Sequence, residues 1–132
     1  PTEAEWEYAT RSGGKREKWA GTSSEADLAD YVWYAKNAGD STHPAGEKKP
    51  NGLGLYDMSG NVWEWCGDWY GKDYYASSPR DNPTGPSSGE SRVYRGGSWY
   101  NIPRHVRATH RYCSSPNFRS TDLCFRLVLP AR

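Results

Sequence analysis

Residues 61–70 constrain the fold of this 132-residue chain more than any other stretch. Within them, Trp63, Trp65 and Trp69 follow one another at even steps. Successive side chains of a β-strand point to opposite faces, so this spacing places the three Trp on one face and Glu64 on the other. The stretch therefore predicts the central strand of the core.

Aromatic side chains supply the buried area that such a strand needs. The chain has 7 Trp and 10 Tyr, and each large ring buries much area from a single position. Its 14 Gly and 9 Pro favour irregular backbone. A chain of this length holds one core, and we expect residues 1–132 to form a single domain.

Charge and hydropathy exclude several classes of partner. The formal net charge is +1, which gives no electrostatic basis for binding nucleic acid or an anionic membrane. No apolar run reaches the roughly 18 residues of a membrane span, and no charged-then-apolar signal segment opens the chain. We therefore expect no nucleic-acid partner and no membrane insertion, and these features do not reveal the localisation.

The three cysteines form no CxxC pair, so neither a zinc site nor a full disulfide framework is implied. A bridge between Cys113 and Cys124 is conceivable, but no feature of the sequence supports it. We expect three free thiols, with Cys66 buried as a small apolar group beside the Trp-rich run.

The first residues carry a helix signal. Thr2 can cap the helix, and Glu5, three residues later, completes a capping box. Trp6 and Ala9 share a face that would pack inward, and Gly13 with the glycine after it would end the helix.

Between this helix and the Trp-rich run, most of the chain reads as loop. Residues 24–28 favour a short helical turn, and residues 31–34 are apolar enough for a buried extended piece. Residues 37–50 are polar and rich in Gly and Pro, which predicts a loop. His43 lies alone in this loop, and we expect it to face solvent.

A long connection, residues 71–91, follows the predicted central strand. A structureless stretch of that length in a compact domain is usually functional or clamped, and Tyr74 and Tyr75 are candidates for the clamp. Residues 92–95 and 125–129 then predict two further strands.

The last quarter of the chain, residues 99–126, differs in composition from the rest. It contains no Lys or Glu, although the density elsewhere would give roughly four in such a length. Arginines recur through it, and most residues between them belong to types encoded by codons that end in a pyrimidine. Two interpretations stay open: a chance fluctuation in a loop-rich segment, or a surface whose residues have been randomised on a fixed frame.

Several segments together resemble one known family, that of the formylglycine-generating or sulfatase-modifying factor enzymes. The matching segments read PTEAEWEYA (1–9), GLYDMSGNVWEW (54–65), RVYRGGSW (92–99) and FRLV (125–128). The resemblance implies a C-type lectin-like fold of the α+β class, irregular, with small twisted antiparallel sheets and long ordered loops.

Two departures from that family bear on function. The oxidising members carry two cysteines after the Gly-Gly-Ser motif that bind copper and the substrate thiol, and residues 99–107 contain none. An oxidase acting on a cysteine or thiol substrate therefore stays only the alternative. Family members also carry an N-terminal strand that pairs near the C-terminus, so we expect strand 125–129 to pair with a local substitute or a second copy, which makes self-association possible.

The same quarter of the chain also resembles the variable region of proteins diversified by retroelements, which use this scaffold. This resemblance implies a non-catalytic ligand-binding protein whose arginines and Trp99 form a frame around a variable contact surface. The partner would be a protein or another macromolecule, and display at a cell surface, outside the cell or on a virion would suit such a role. The candidate contact residues are Tyr100, Asn101, Ile102, His105, His110, Tyr112, Ser114, Asn117, Phe118, Ser120 and Asp122.

Two open points concern individual residues. For Ile102 and Phe118, the alternative to ligand contact is packing in the core. Asn61 and Glu64 lie in a segment that the enzymes use for calcium, so a calcium ion is a tentative expectation, although binding requires no cofactor. Calcium needs six to eight oxygen ligands, and a pair between Glu64 and a frame arginine is the alternative. The sequence has neither the clustered acids of a sugar-binding lectin nor the clustered His of an iron-dependent sulfoxide synthase.

Overall fold

A computed structural model describes residues 1–129 and places four strands in one sheet. The helices and strands are α1 (Glu3–Thr10), α2 (Leu28–Tyr31), β1 (Trp63–Trp69), β2 (Arg92–Arg95), β3 (Arg111–Ser114) and β4 (Leu123–Phe125), with a 3-10 turn at Tyr74–Ala76. None of the helices in the described part of the chain is long and apolar enough to cross a membrane.

The sheet confirms the expected α+β class with little regular structure. Its strand order is β3-β2-β1-β4. The pairs β1–β2 and β2–β3 are antiparallel, but β4 runs parallel to β1, with Trp63 opposite Leu123. The sheet is therefore mixed, and the expectation of antiparallel pairing alone was wrong for this edge.

Helix α1 forms as the sequence predicts. The Thr2 hydroxyl accepts a hydrogen bond from the backbone of Glu5, whose carboxylate accepts one from the backbone of Thr2. After the helix, Gly13 adopts φ +85° and donates to the Tyr8 carbonyl at 3.0 Å. Trp6 lies on the buried face and joins the first core cluster.

Strand β1 is interior in the sheet, as predicted, but one of its two faces carries a buried carboxylate, that of Glu64. Glu64 faces α1, where its carboxylate accepts a hydrogen bond from the indole of Trp6 at 2.7 Å. On the opposite face, Trp63 and Trp65 each meet the Tyr94 ring edge-on at 5.1 Å between centroids. The helix therefore covers the polar face of β1, and the aromatic face turns toward the last quarter of the chain.

The long connection is clamped as expected, through one of the two predicted tyrosines. The Tyr75 hydroxyl donates to Glu3 at 3.0 Å, and the guanidinium of Arg111 lies 4.5 Å from the Tyr75 ring centroid. Residues 71–91 therefore wrap over α1 and β3.

Three predictions about local structure were wrong. Residues 125–129 do not form the last strand, because pairing with β1 covers only positions 123–125. Tyr31 ends α2 and is not part of the extended piece that follows. His43 does not face solvent: its ring stacks on Trp33 at 3.7 Å, and Nε2 lies 2.8 Å from a backbone carbonyl.

The last quarter of the chain is held against the second core cluster. Val106 is fully buried with Trp19, Leu28 and Val32. Gly97 permits this approach, since a Cβ there would lie 2.6 Å from a Val106 methyl and its φ is +72°. The segment is irregular but anchored, which is the condition for a stable loop surface.

Candidate ligand-binding surface

Arg95 is fully buried and ties α1 to the last quarter of the chain. Its guanidinium pairs with Glu3 at 3.2 Å and with Glu7. It also donates to the carbonyl of Ala108 at 2.9 Å and to that of Thr109 at 3.3 Å. A planar guanidinium has enough donors for such divergent contacts, so Arg95 fixes the path of a segment that lacks helix or sheet at that point.

Two arginines within the segment have similar roles. Arg111 binds both carboxylate oxygens of Glu3, at 2.8 and 2.5 Å. Arg126 binds both oxygens of Glu64, at 2.7 and 2.6 Å, and donates to the Tyr56 carbonyl. Paired forks of this kind are among the stronger hydrogen bonds, and they hold the start of β3 and the end of β4 against the helix side of the sheet.

Most of the candidate contact residues are accessible. Ile102 is 52% exposed and Phe118 is 42% exposed, so the alternative that they pack in the core is wrong. His105, His110 and Ser114 are half-buried. The exposed candidates are Tyr100, Ile102, Tyr112, Asn117, Phe118 and Ser120.

Two candidates are structural, which corrects the sequence-based assignment. Asn101 is 8% exposed, and its side-chain oxygen accepts hydrogen bonds from the backbone and hydroxyl of Ser98. Asp122 is 5% exposed; one carboxylate oxygen accepts from Ser120, and the backbone carbonyl of Asp122 accepts from Trp63 at 2.7 Å. Short polar side chains often stabilise turns by such local bonds, so these two hold loops. Asn101 also lines a pocket, and the second carboxylate oxygen of Asp122 has no hydrogen-bond partner among the described residues.

Five candidates meet in a concave pocket of about 290 Å³. Their neighbours in the pocket include two buried residues from the sheet, which sequence reasoning did not assign to the site. The lining residues are Trp63, Tyr94, Tyr100, Asn101, His105, His110 and Tyr112. The alternation along β1 predicted that Trp63 lies on one face of a strand. It did not predict which ring would cover Trp63.

Burial in the pocket opposes charge on His110 and Tyr94. Burial lowers the pKa of His110, and the nearby His105 and arginines lower it further. Burial raises the pKa of Tyr94 to about 12, with a further contribution from Tyr112. The imidazole of His110 and the phenol of Tyr94 therefore favour their neutral forms, and the pocket offers aromatic faces and polar ring edges.

The cysteines do not form a reactive centre. All three are free thiols. Cys113 on β3 lies opposite Val93, and Cys124 on β4 lies opposite Glu64, so two other strands separate them. Burial raises the pKa of both Cys66 and Cys113, whereas reactive cysteines have a lowered pKa.

The tentative calcium ligands are occupied by protein groups. Both carboxylate oxygens of Glu64 bind Arg126, and one also binds Trp6. The side-chain amide of Asn61 exchanges two hydrogen bonds with the backbone of His43. Residues 1–129 contain no group of three His, Cys, Asp or Glu that could hold a metal ion. These side chains therefore do not fit calcium, and the arginine pair is the alternative that the structure contains.

A larger cleft of about 530 Å³ lies between α1 and the long connection. Its carboxylates are already engaged. Glu3 pairs with Arg95 and Arg111, and Asp68 accepts the backbone N–H of Glu3 at 2.7 Å. We interpret this cleft as part of the clamp on the connection.

Comparison with known proteins gives one matching family model, described as the sulfatase-modifying factor enzyme 1-like domain, over residues 1–131. Among solved structures, Treponema denticola variable protein 1 is 47% identical with a TM-score of 0.88, over 95% of this chain and 45% of that chain.

Curated relatives carry more than one name. The formylglycine-generating enzyme of Streptomyces coelicolor is 39% identical over 96% of this chain and 45% of its own length. The serine/threonine-protein kinase Pkn1 of Chlamydia trachomatis is 41% identical over 96% of this chain and 20% of its own. The chain thus spans less than half the length of each of these relatives.

Proposed function

The chain belongs to the family of sulfatase-modifying factor enzyme 1-like domains, and on that premise we propose that it is a non-catalytic, ligand-binding variable protein. Its contact surface is the exposed part of residues 99–126, and its partner is a protein or another macromolecule. Binding needs no cofactor. The similarity to a variable protein over 95% of this chain supports this proposal within a family that also contains enzymes.

One observation carries the proposal: exposed side chains alternate with buried frame residues along an irregular but anchored segment. Tyr100, Tyr112 and Phe118 are exposed, whereas Val106 and Ala108 are fully buried. Aromatic and small polar residues on a rigid support give contact area at low entropic cost and adapt to varied partners. Changes at the exposed positions would therefore alter specificity without disturbing the frame.

The second candidate function is an oxidase of the formylglycine-generating type, which the names of the curated relatives favour. Such chemistry depends on thiolates in a prepared site. Here the thiols lie on separate strands, and burial raises the pKa of Cys113. Oxygen consumption with a cysteine-containing peptide and copper tests this candidate, and we expect no turnover above that of a variant with all three Cys changed to Ser.

A display library tests the binding proposal. The six exposed candidates would be randomised with codons ending in a pyrimidine, and variants would be selected against immobilised proteins. We expect binders whose melting temperatures stay within a few degrees of the parent, as is usual for surface substitutions. A matched library at exposed positions away from this surface, Tyr8, Leu53 and Tyr56, should yield far fewer. Equal yields from the two libraries would contradict the proposal.

A further inference from the structure

We infer that the pocket over Trp63 and Tyr94 receives one uncharged aromatic side chain of a protein partner. We further infer that different versions of the contact surface share this anchor. The inference rests on the proposed function, since it names the chemical group that the surface recognises first.

The floor of the pocket is a pair of buried rings. Trp63 and Tyr94 are each 7% exposed and meet edge-to-face at 5.1 Å, with an interplanar angle of 83°. The Tyr112 ring lies 5.5 Å from Tyr94, and the His110 ring lies 5.8 Å from Trp63. Aromatic pairs favour centroid distances of about 4.5–7 Å, so a further ring placed here meets suitable partners on more than one side.

The size of the pocket suits a single side chain. Its volume is about 290 Å³, near the lower limit of roughly 300 Å³ for pockets that enclose drug-sized ligands. Interface hot spots are typically large side chains that fill central pockets surrounded by weaker contacts. The exposed Tyr100 and Tyr112 stand at the rim and would exclude water from such a group.

The lining of the pocket selects against ionised groups. It consists of Trp, Tyr, His and Asn side chains and includes no Asp, Glu, Lys or Arg that could pair with a charge. A charged side chain that loses its hydration without such a partner incurs a large desolvation penalty, and burial lowers the pKa of His110 for the same reason. A neutral ring avoids this penalty.

The floor and the rim come from different parts of the chain. Trp63 belongs to β1 and Tyr94 to β2, and both strands lie outside the candidate variable segment. Tyr100, His105, His110 and Tyr112 belong to that segment. Replacing the rim residues would change the affinity for one partner relative to another, and this difference in affinity is the specificity. The preference of the pocket for an aromatic side chain would stay the same, because Trp63 and Tyr94 would be unchanged.

Small probes test the pocket on the whole chain. p-Cresol and 3-methylindole represent Tyr and Trp side chains, and n-butylamine and propionate represent the charged Lys and Glu side chains. The readout is the indole N–H resonance of Trp63 in a nitrogen-15 spectrum, assigned from a Trp63→Phe variant. We expect saturable shifts with the aromatic probes and none with the charged ones. An unmoved Trp63 resonance up to the solubility limit, or equal binding of the charged probes, would overturn the inference.

Two variants of the rim complete the test. Tyr112→Ala should weaken p-cresol binding about 2- to 13-fold, the loss expected for one aromatic pair, and Tyr112→Phe should restore it. Tyr8→Ala is the matched control, since Tyr8 is an exposed tyrosine away from the contact surface and does not line the pocket; it should not change p-cresol binding. A Tyr112→Ala variant with wild-type affinity for p-cresol would refute the role of the rim.

Partner complexes separate this inference from the proposed function. Library-selected partners could bind without losing affinity when the aromatic residues of their epitopes are changed to Ala. In that case the inference of an aromatic anchor is wrong and the proposed binding function stands. If p-cresol binds Trp63 but no library yields a partner, the binding function fails and the pocket remains a site for a neutral aromatic ring.

Discussion

Replacing Arg95 with Met tests whether buried arginines hold the irregular segment in place. The substitution keeps an unbranched, roughly similar side chain but removes the guanidinium. It leaves Glu3 buried with only Arg111 as its ion-pair partner, and it leaves the carbonyls of Ala108 and Thr109 without the Arg95 donors.

The structure gives the expected magnitude. Removing one partner of a buried ion pair costs about 3–5 kcal/mol. Glu3 is almost fully buried, so its share of that cost is large, whereas the Glu7 side chain is 31% exposed and water screens its share. For a domain of this size, each kcal/mol lowers the melting temperature by about 3–5 °C, so a cost of about 3–5 kcal/mol should lower the melting temperature of Arg95→Met by about 9–25 °C.

The assay combines thermal melting by near-ultraviolet circular dichroism, which reports Trp packing, with urea unfolding. Arg119→Met is the matched control: Arg119 is exposed, and within residues 1–129 its side chain makes one hydrogen bond, to the Phe118 carbonyl at 3.5 Å. It should change stability by no more than about 0.5 kcal/mol. If Arg95→Met melts within a few degrees of the parent, the frame is not held by buried ion pairs. The same conclusion follows if the melting temperature of Arg119→Met falls as far as that of Arg95→Met.

Four further predictions follow from the same contacts. Tyr112→Ala and Phe118→Ala should weaken partner binding in biolayer interferometry while the melting temperature changes by a few degrees at most; a large drop would identify them as core residues. Because the pKa of His110 is lowered in the folded state, its contribution to stability is present above the unfolded pKa of about 6.5 and is lost as pH falls through the folded value. His110→Asn should therefore flatten the pH dependence of urea unfolding below neutrality, and an unchanged slope would contradict this. Wild-type melting should be the same in calcium and in excess EDTA, since Glu64 already binds Arg126; a rise with calcium would restore the metal proposal. Leu127 is 85% exposed beside edge strand β4, and apolar edges favour association, so Leu127→Lys should reduce any dimer seen by sedimentation velocity, and a dimer unaffected by it would use another surface.

The elements that formed as predicted depend on neighbours in sequence. The capping box of α1 joins residues three positions apart, and the alternation in β1 is a property of one short stretch. Strand β2 occupies residues 92–95, as predicted. In each case the residues that decide the conformation lie within a few positions of one another.

Strand β3 was missed for the opposite reason. Its residues, Arg111–Ser114, are mixed in polarity and carry no clear alternation of burial. They form a strand because β2 offers a free edge, with Val93 opposite Cys113 and Arg95 opposite Arg111. A partner strand, which a local pattern does not reveal, decided this conformation.

The sequence also indicated the exposure of some candidate contact residues but not the burial of others. The composition of the last quarter indicated a surface, and Tyr112 and Phe118 are indeed exposed. It did not distinguish Asn101 and Asp122, which share the residue types of a contact surface but are buried by bonds to Ser98 and Ser120. Polar residue type therefore does not decide burial. Local bonds hold the Asn101 side chain, whereas Asp122 is buried although its second carboxylate oxygen has no hydrogen-bond partner among the described residues.

The sequence by itself determined the family of fold, helix α1, the two inner strands and the segment from which a contact surface could be built. Only the tertiary structure decided that Arg111 meets Glu3 across 108 positions of sequence, and that Trp63 becomes the floor of a pocket whose rim is distant in the chain. The physical reason is that hydrogen-bonded caps and strand alternation are set by nearest neighbours. Ion pairs and ring contacts, in contrast, depend on how distant segments are brought together when the apolar core closes.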